Sequence, residues 1–226
     1  MYIEKINGPE DVKKLNIEEM AALAEEMRHA LLKRASIHGG HFGPNFGMVE
    51  AIIALHYVFE SPKDKMVFDV SHQTYPHKML TGRKDAFLYE EHYDDVSGYS
   101  NPHESEHDHF TIGHTSTSVS LACGLAKGRD LKGEDGNVVA IIGDGSLSGG
   151  EALEALNYAA ELERQPDHPR QRQRYVHRGE SWRSVSEPAP AARDGRQGRV
   201  QPVPCDGSGL PLCSRRQRYC FADRGI

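Results

Sequence analysis

The chain has 226 residues, 38% of them hydrophobic, with 27 Lys and Arg against 33 Asp and Glu and a net charge of −6. That length allows one sizeable core or one and a half small ones, and the acidic balance argues against a generic binder of phosphate backbones. No apolar stretch reaches membrane-spanning length and MYIEKINGPEDVKKL has no apolar signal core, so the expected setting is cytoplasmic, with neither a membrane nor a nucleic acid as partner.

In chain order, residues 17–35 place Met20, Leu23, Met27 and Leu31 at helical spacing with charges between them, and Gly39-Gly40 stops that helix. GMVEAIIALHYVF (47–59) predicts a second, largely buried helix. KMVFDVS (65–71) is short, β-branched and aromatic, which predicts a strand. Residues 115–133 open on Ser and Thr capping residues and predict a helix ending at Gly133. In that run Cys123 reads as a small core residue. NVVAII (137–142) is the near-continuous apolar strand of a sheet buried on both faces. GEALEALNYAAEL (150–162) predicts a helix with Leu153, Leu156 and Ala160 on its apolar side. Strand and helix alternate, which favours an α/β layer with a mostly parallel sheet.

At residue 163 this grammar stops. Residues 1–162 hold 14 Lys and Arg against 26 acids, whereas residues 163–226 hold 13 Arg, no Lys and 7 acids. The second segment also carries seven of the 12 prolines and three of the four cysteines, and those three have no metal-knuckle spacing. Its composition is that of a disordered segment. Yet a parallel unit requires a further strand after the 150–162 helix.

The motifs that carry chemistry lie at element ends. Gly143-Asp144-Gly145 follows a strand and precedes a helix, where open α/β sheets bind their ligands. There Asp144 offers a hard oxygen to Mg²⁺, and the glycines let backbone approach a diphosphate. A tight Asp-Gly turn is the bland alternative. Three further loops shift that balance. Residues 36–47 carry four glycines and His41; residues 69–83 carry His72, His77, Lys78 and Arg83; residues 112–118 set His114 between Gly113 and a run of hydroxyls. Four such loops in an α/β chain suggest a site for a phosphorylated cofactor. NPHESEHDHF (101–110) mixes three histidines with three acids in no zinc pattern, and reads as a solvated surface loop in preference to a metal site.

These residues resemble the 1-deoxy-D-xylulose-5-phosphate synthases of the transketolase-like thiamine diphosphate enzymes. The matching pieces are the G-G-H loop, the D-V-x-H-Q-x-Y-x-H-K-x-L-T-G-R block, the G-H-[ST]-S-T-S block and VVAIIGDGSLSGGEALEALNYAAEL, all between residues 1 and 162. The resemblance implies a thiamine diphosphate- and Mg²⁺-dependent transferase, a homodimer at full length. It condenses pyruvate with D-glyceraldehyde 3-phosphate, releases CO₂, and feeds isoprenoid, thiamine and pyridoxal synthesis. It implies that Asp144 is a Mg²⁺ ligand, that His72, Gly113, His114, Thr115, Gly145 and Ser146 hold the cofactor, and that His41 stands near the reacting centre as a candidate for proton transfer. Ser71 stands where the family usually has Gly, and Phe42 and Phe46 where it usually has Leu.

The same resemblance defines what is expected of the remainder. Residues 1–162 form an incomplete thiamine diphosphate-binding domain, a mostly parallel sheet flanked by helices, and residues 163–226 a disordered tail. The family's second Mg²⁺ ligand, an Asn 29 residues after the motif Asp, falls here on Gln173 with no strand to hold it. Read one base later with permitted codons, ERQPDHPRQRQRYVHRGESWRS becomes S-G-N-L-I-I-L-V-N-D-N-D-M-S-I-A-E-N-H-G-G-L, an apolar strand and an Asn/Asp loop. The tail is therefore expected to be out of frame, and the chain inactive alone. A basic arm and a split subunit are the alternatives. Resequencing the coding DNA across codon 163 decides: an intact frame there ends the frame-change reading.

Overall fold

The structure, a computed structural model, describes residues 1–162 and, as backbone, residues 173–178. Three parallel strands form one sheet in the order β1 (Lys65–Phe68), β2 (Val138–Gly143), β3 (Gln173–Arg178). Residues Val138 to Ile142 of the central strand are all buried, as an apolar run between two helical layers requires. Lys65 stands opposite Val138 and Phe68 opposite Ile141.

β3 corrects the expectation that the segment after residue 162 holds no strand. It pairs with β2 from Val138↔Gln173 to Gly143↔Arg178. The far edge of β2 presents backbone N–H and C=O groups that need partners, and QRYVHR supplies them around a Tyr-Val pair suited to a strand. One compact unit spans Met1–Gly179. The expected disorder of the rest of the tail lies outside the described residues.

The sheet is locked at its amino end. Asp64 accepts from the Asn137 N–H (2.6 Å) and from Asn137 Nδ2 (2.9 Å), while the Lys65 N–H donates to Asn137 O (2.8 Å). Gly136 makes this approach possible. Its φ is +126°, and a Cβ there would stand 2.8 Å from Lys63 O.

The helices bear out the chain-order reading in outline. After α1 (Pro9–Val12) comes α2 (Ile17–Ile37), opened by a reciprocal capping box of Asn16 and Glu19. It buries Met20, Leu23, Met27 and Leu31 and stops before Gly39, whose φ of +85° suits glycine. A single turn, α3 (Gly43–Phe46), precedes α4 (Val49–Val58). Ile52, Ile53 and Leu55 of α4 are fully buried, each contributing about 1.5–3 kcal/mol. Short helices α5 (Tyr75–Lys78) and α6 (Asp85–Leu88) flank a π turn at Met79–Arg83. α5 and the π turn stand where the sequence predicts a loop over 69–83.

Beyond them α7 (Ser118–Lys132) ends at Gly133 in the left-handed conformation, as predicted. α8 (Asp144–Leu147) and α9 (Gly150–Leu162) follow β2. α9 departs from its predicted face. Ala152, Ala155, Ala159 and Leu162 are buried, while Leu153 is 56% exposed. Small side chains let α9 close onto α7, where Cys123 Sγ reaches Ala155 O at 3.9 Å. Among the described residues no helix is long and apolar enough to cross a membrane.

Candidate functional site

β1 runs directly into the first site loop. Asp69, 1% exposed, accepts from the Ser116 N–H at Oδ2 (3.0 Å) and from the Ser118 N–H at Oδ1 (2.9 Å). One buried carboxylate thus fixes the 112–118 loop to the end of β1 and sits at the amino end of α7, where the helix dipole favours negative charge. The chain then passes through Val70 (φ 58°) and Ser71 (φ 68°), a conformation costly for a β-branched residue. Ser71 is held in place by its hydroxyl, which donates to Ile112 O (2.9 Å) and accepts from the Ser100 N–H (2.9 Å). These bonds offset the strain that a Cβ adds at positive φ.

Ser116, also at positive φ (71°), couples this loop to the next. Its hydroxyl donates to Ser146 O (2.7 Å). A Cβ on Gly149 would overlap that hydroxyl and come within 2.8 Å of Ser116 Cβ, so the coupling requires glycine at 149. Gly113, His114 and Thr115 are exposed at the head of the loop. His114 Nδ1 lies 2.7 Å from Thr115 O. A carbonyl only accepts, so Nδ1 carries the proton in the neutral ring. Asp144 and Gly145 are exposed beyond the end of β2, and the Gly145 N–H donates to Asp144 Oδ1 (2.9 Å).

The fourth loop is organised by Asn45, which is fully buried. Its Nδ2 donates to His41 O (2.6 Å) and His72 O (2.8 Å), and its Oδ1 accepts from the Tyr75 N–H (2.9 Å). His41 is thereby set edge-on to His72, with ring centroids 5.5 Å apart, and 5.0 Å from the Tyr99 ring. Nδ1 of both histidines is buried without a partner among the described residues. Burial, and then the neighbouring His41, hold the His72 imidazole below the usual histidine range, so it is neutral at pH 7.

The predicted residues therefore fall into two groups. His41 and His72 form one; Gly113, His114, Thr115, Asp144, Gly145 and Ser146 form the other, with Asp69–Ser71 between them. Asn45 and Asp69 were missed by sequence reasoning. The one signal for Asn45 is an amide inside the apolar-and-glycine stretch GPNFG, and for Asp69 an acid closing an apolar strand.

His77, Lys78 and Arg83 belong elsewhere, with the loop at 101–110, which is not a solvated surface loop. The Asp108 side chain is fully buried. Its Oδ2 accepts from Arg83 Nη1 (2.8 Å) and the Asn101 N–H (2.8 Å), its Oδ1 from Arg83 Nη2 (2.9 Å) and His77 Nε2 (3.1 Å). Burial by itself would raise the Asp108 pKa, but the His77 and Arg83 bonds reverse this and hold it far below the usual carboxylate range. Glu104 pairs with buried Lys78 (2.6 Å). No group of three metal-ligating side chains occurs among the described residues. Gln173 pairs with Val138 at the amino end of β2, whereas Asp144 follows its carboxyl end. The offset is about 15–20 Å at strand rise, so Gln173 does not meet Asp144.

Residues 3–166 match the family described as 1-deoxy-D-xylulose-5-phosphate synthase. The chain belongs to that family. It is 53% identical over 157 residues to the 1-deoxy-D-xylulose-5-phosphate synthase of Dictyoglomus turgidum, 70% of this chain and 25% of that protein. The synthase of Carboxydothermus hydrogenoformans is 52% identical over 162 residues, 72% of this chain and 26% of that protein. That of Thermus thermophilus is 49% identical over 164 residues, 73% and 27%. The chain thus spans about a quarter of the length of these synthases.

Proposed function

We propose that this chain forms the diphosphate side of a thiamine diphosphate site in a 1-deoxy-D-xylulose-5-phosphate synthase, a homodimer that joins pyruvate to D-glyceraldehyde 3-phosphate with loss of CO₂. The observation that carries the reading is the gathering of four glycine-flanked loops beside a parallel sheet. Two imidazole Nδ1 atoms are buried there without partners. The residues fit the cofactor. An exposed Asp144 is a sufficient protein ligand for Mg²⁺, which takes one or two carboxylates and fills its remaining positions with phosphate oxygens and water.

When bound, thiamine diphosphate supplies a carbon nucleophile that stores the electron pair left by decarboxylation. The chain's own residues do the rest. Neutral His72 donates or accepts a hydrogen bond without placing a fixed charge in the site. His114, with Nδ1 committed to Thr115 O, presents Nε2, which donates to a phosphate when protonated. His41 holds or moves a proton at Nδ1.

Isothermal titration of the full chain with thiamine diphosphate and Mg²⁺ tests this. Asp144→Ala should weaken Mg²⁺-dependent binding by at least about tenfold, the loss seen even for outer-shell metal partners. Absence of binding to the wild-type chain, or equal binding by the variant, would sink the proposal.

A further inference from the structure

Asp144 heads a turn that has little to hold it. α8 is a single turn, its amino end has no side-chain cap, and Asp144 itself is exposed. The bonds inside the segment are local: Ser148 Oγ donates to Gly145 O (2.7 Å), and the Gly149 N–H donates to Ser146 O (3.1 Å). Leu147 packs against the apolar core at the carboxyl end of the turn. Among the described residues, one side-chain hydrogen bond reaches residues 144–149 from elsewhere in the chain. It comes from Ser116, whose hydroxyl donates to Ser146 O across 30 positions of sequence.

Ser116 is in turn held for that bond. Its N–H donates to Oδ2 of buried Asp69 (3.0 Å), and its φ is 71° although it carries a Cβ. A glycine would adopt this φ without strain, but a glycine has no hydroxyl. A non-glycine residue kept in so unfavourable a conformation signals a use for its side chain. Gly149 supplies the matching room, since a Cβ there would overlap the Ser116 hydroxyl. A strained serine and a glycine that admits no side chain thus serve the same bond.

We propose that Ser116 is a positioning residue for the metal. Through Ser146 O it sets the turn that aims the Asp144 carboxylate, and it passes the placement of Asp69 at the end of β1 on to the cation site. Ser116 needs no contact with the cation to do this. The metal role rests on the proposed function; the tether rests on Ser116, Ser146 and Gly149 alone.

The test uses the full chain and separates tether from aim. Ser116→Ala keeps the Cβ and the bond to Asp69 and removes only the hydroxyl. Without any ligand, the Ser148 and Gly149 amides of the variant should exchange hydrogen about fivefold faster, the weight of one hydrogen bond, with Ile141 in β2 unchanged. Titrated with thiamine diphosphate and Mg²⁺, the variant should lose about tenfold in Mg²⁺-dependent binding, as removal of an outer-shell partner does. With Mn²⁺ as the probe at saturation, the spin-resonance spectrum of the bound ion should also change, because the carboxylate is aimed differently; a loss of stability alone would leave that spectrum as it is. If Ser116→Ala fails to fold, Ser116→Gly gives the same test with a backbone that suits this φ. The proposal is overturned if a folded variant exchanges like wild type over 145–149, or if it binds the metal with wild-type affinity and spectrum. Wild-type cofactor binding with an unaffected variant removes the role of Ser116 and keeps the proposed function. Absence of cofactor binding to the wild-type chain removes the proposed function and the metal role with it, while the exchange rates still decide whether Ser116 holds the turn.

Discussion

Replacing Asp108 by Ala should lower the free energy of unfolding by about 3–5 kcal/mol, the range for breaking a buried ion pair by removing one partner. The loss arises from what stays behind. Arg83 is 10% exposed and His77 1% exposed, and both would keep donors aimed at an empty position. The Asn101 N–H would also lose its acceptor. Domains of this kind hold about 5–15 kcal/mol in all, so the variant should be largely depleted from the soluble fraction at 37 °C. Urea denaturation followed by circular dichroism measures the change. Arg83→Met added to Asp108→Ala should recover part of it, because the second change removes the stranded cation. A single-variant loss under about 1 kcal/mol, the size of an exposed pair, would contradict the buried-network account.

The second large effect is a loss of stability in mild acid. Burial holds His56 and His77 below the usual histidine value of 6.5, and holds His109 at about 4. The bonding chain explains how His56 and His77 stay neutral. Asp108 accepts from His77 Nε2, so His77 Nδ1 accepts in turn from His56 Nε2, at 2.9 Å. His56 Nδ1 is left buried without a partner and takes up no proton in the folded state. Unfolding frees all three rings to bind protons at pH 6.5. The unfolded state therefore binds more protons below that pH, and stability falls as pH drops from 6.5 toward 4.

Each such histidine contributes a slope of up to about 1.4 kcal/mol per pH unit. Asp108 adds nothing in this window. Its contribution is complete above the unfolded carboxylate value and is lost only below it. His92 runs the other way, raised by its bond to Asp95, but it is exposed and weak. Urea midpoints should drop steeply between pH 7 and pH 5, and His56→Asn should flatten the profile. A midpoint independent of pH over that range would refute the assignment.

How much of this was legible in the sequence depended on whether a residue's role was local. The helix predicted over 17–35 and found over 17–37 is announced by the helical spacing of Met20, Leu23, Met27 and Leu31, all within its own span. The strand at 138–143 is announced by an unbroken apolar run. The site loops were found because glycines and histidines cluster at element ends. The partners that hold those loops were not, because Asp69 acts on residues 47 and 49 positions away and Asn45 on residues up to 30 away. The same distance hid the 101–110 loop. Its acids look like solvent-facing charge until Arg83 and Lys78 are folded over them. On α9 the apolar pattern pointed to leucines, whereas close approach to α7 selected alanines, a choice that only the neighbouring helix could make.

The lock between Asp64 and Asn137 bears on how the chain finds its fold. The two residues are 73 positions apart, and two hydrogen bonds join them just where β1 and β2 begin. Closing so long a loop is entropically slow, and no contact between the strands can form before it closes. Once Asp64 meets Asn137, however, the alignment of the two strands is set at its first residue, and a slip by one position would exchange the two buried faces of β2. The pairing therefore behaves as a zipper with its slider at one end. The search is slow, and closure beyond it is fast and unique. Substitution of Asp64 should retard folding and permit misaligned strands even where the final structure still tolerates it.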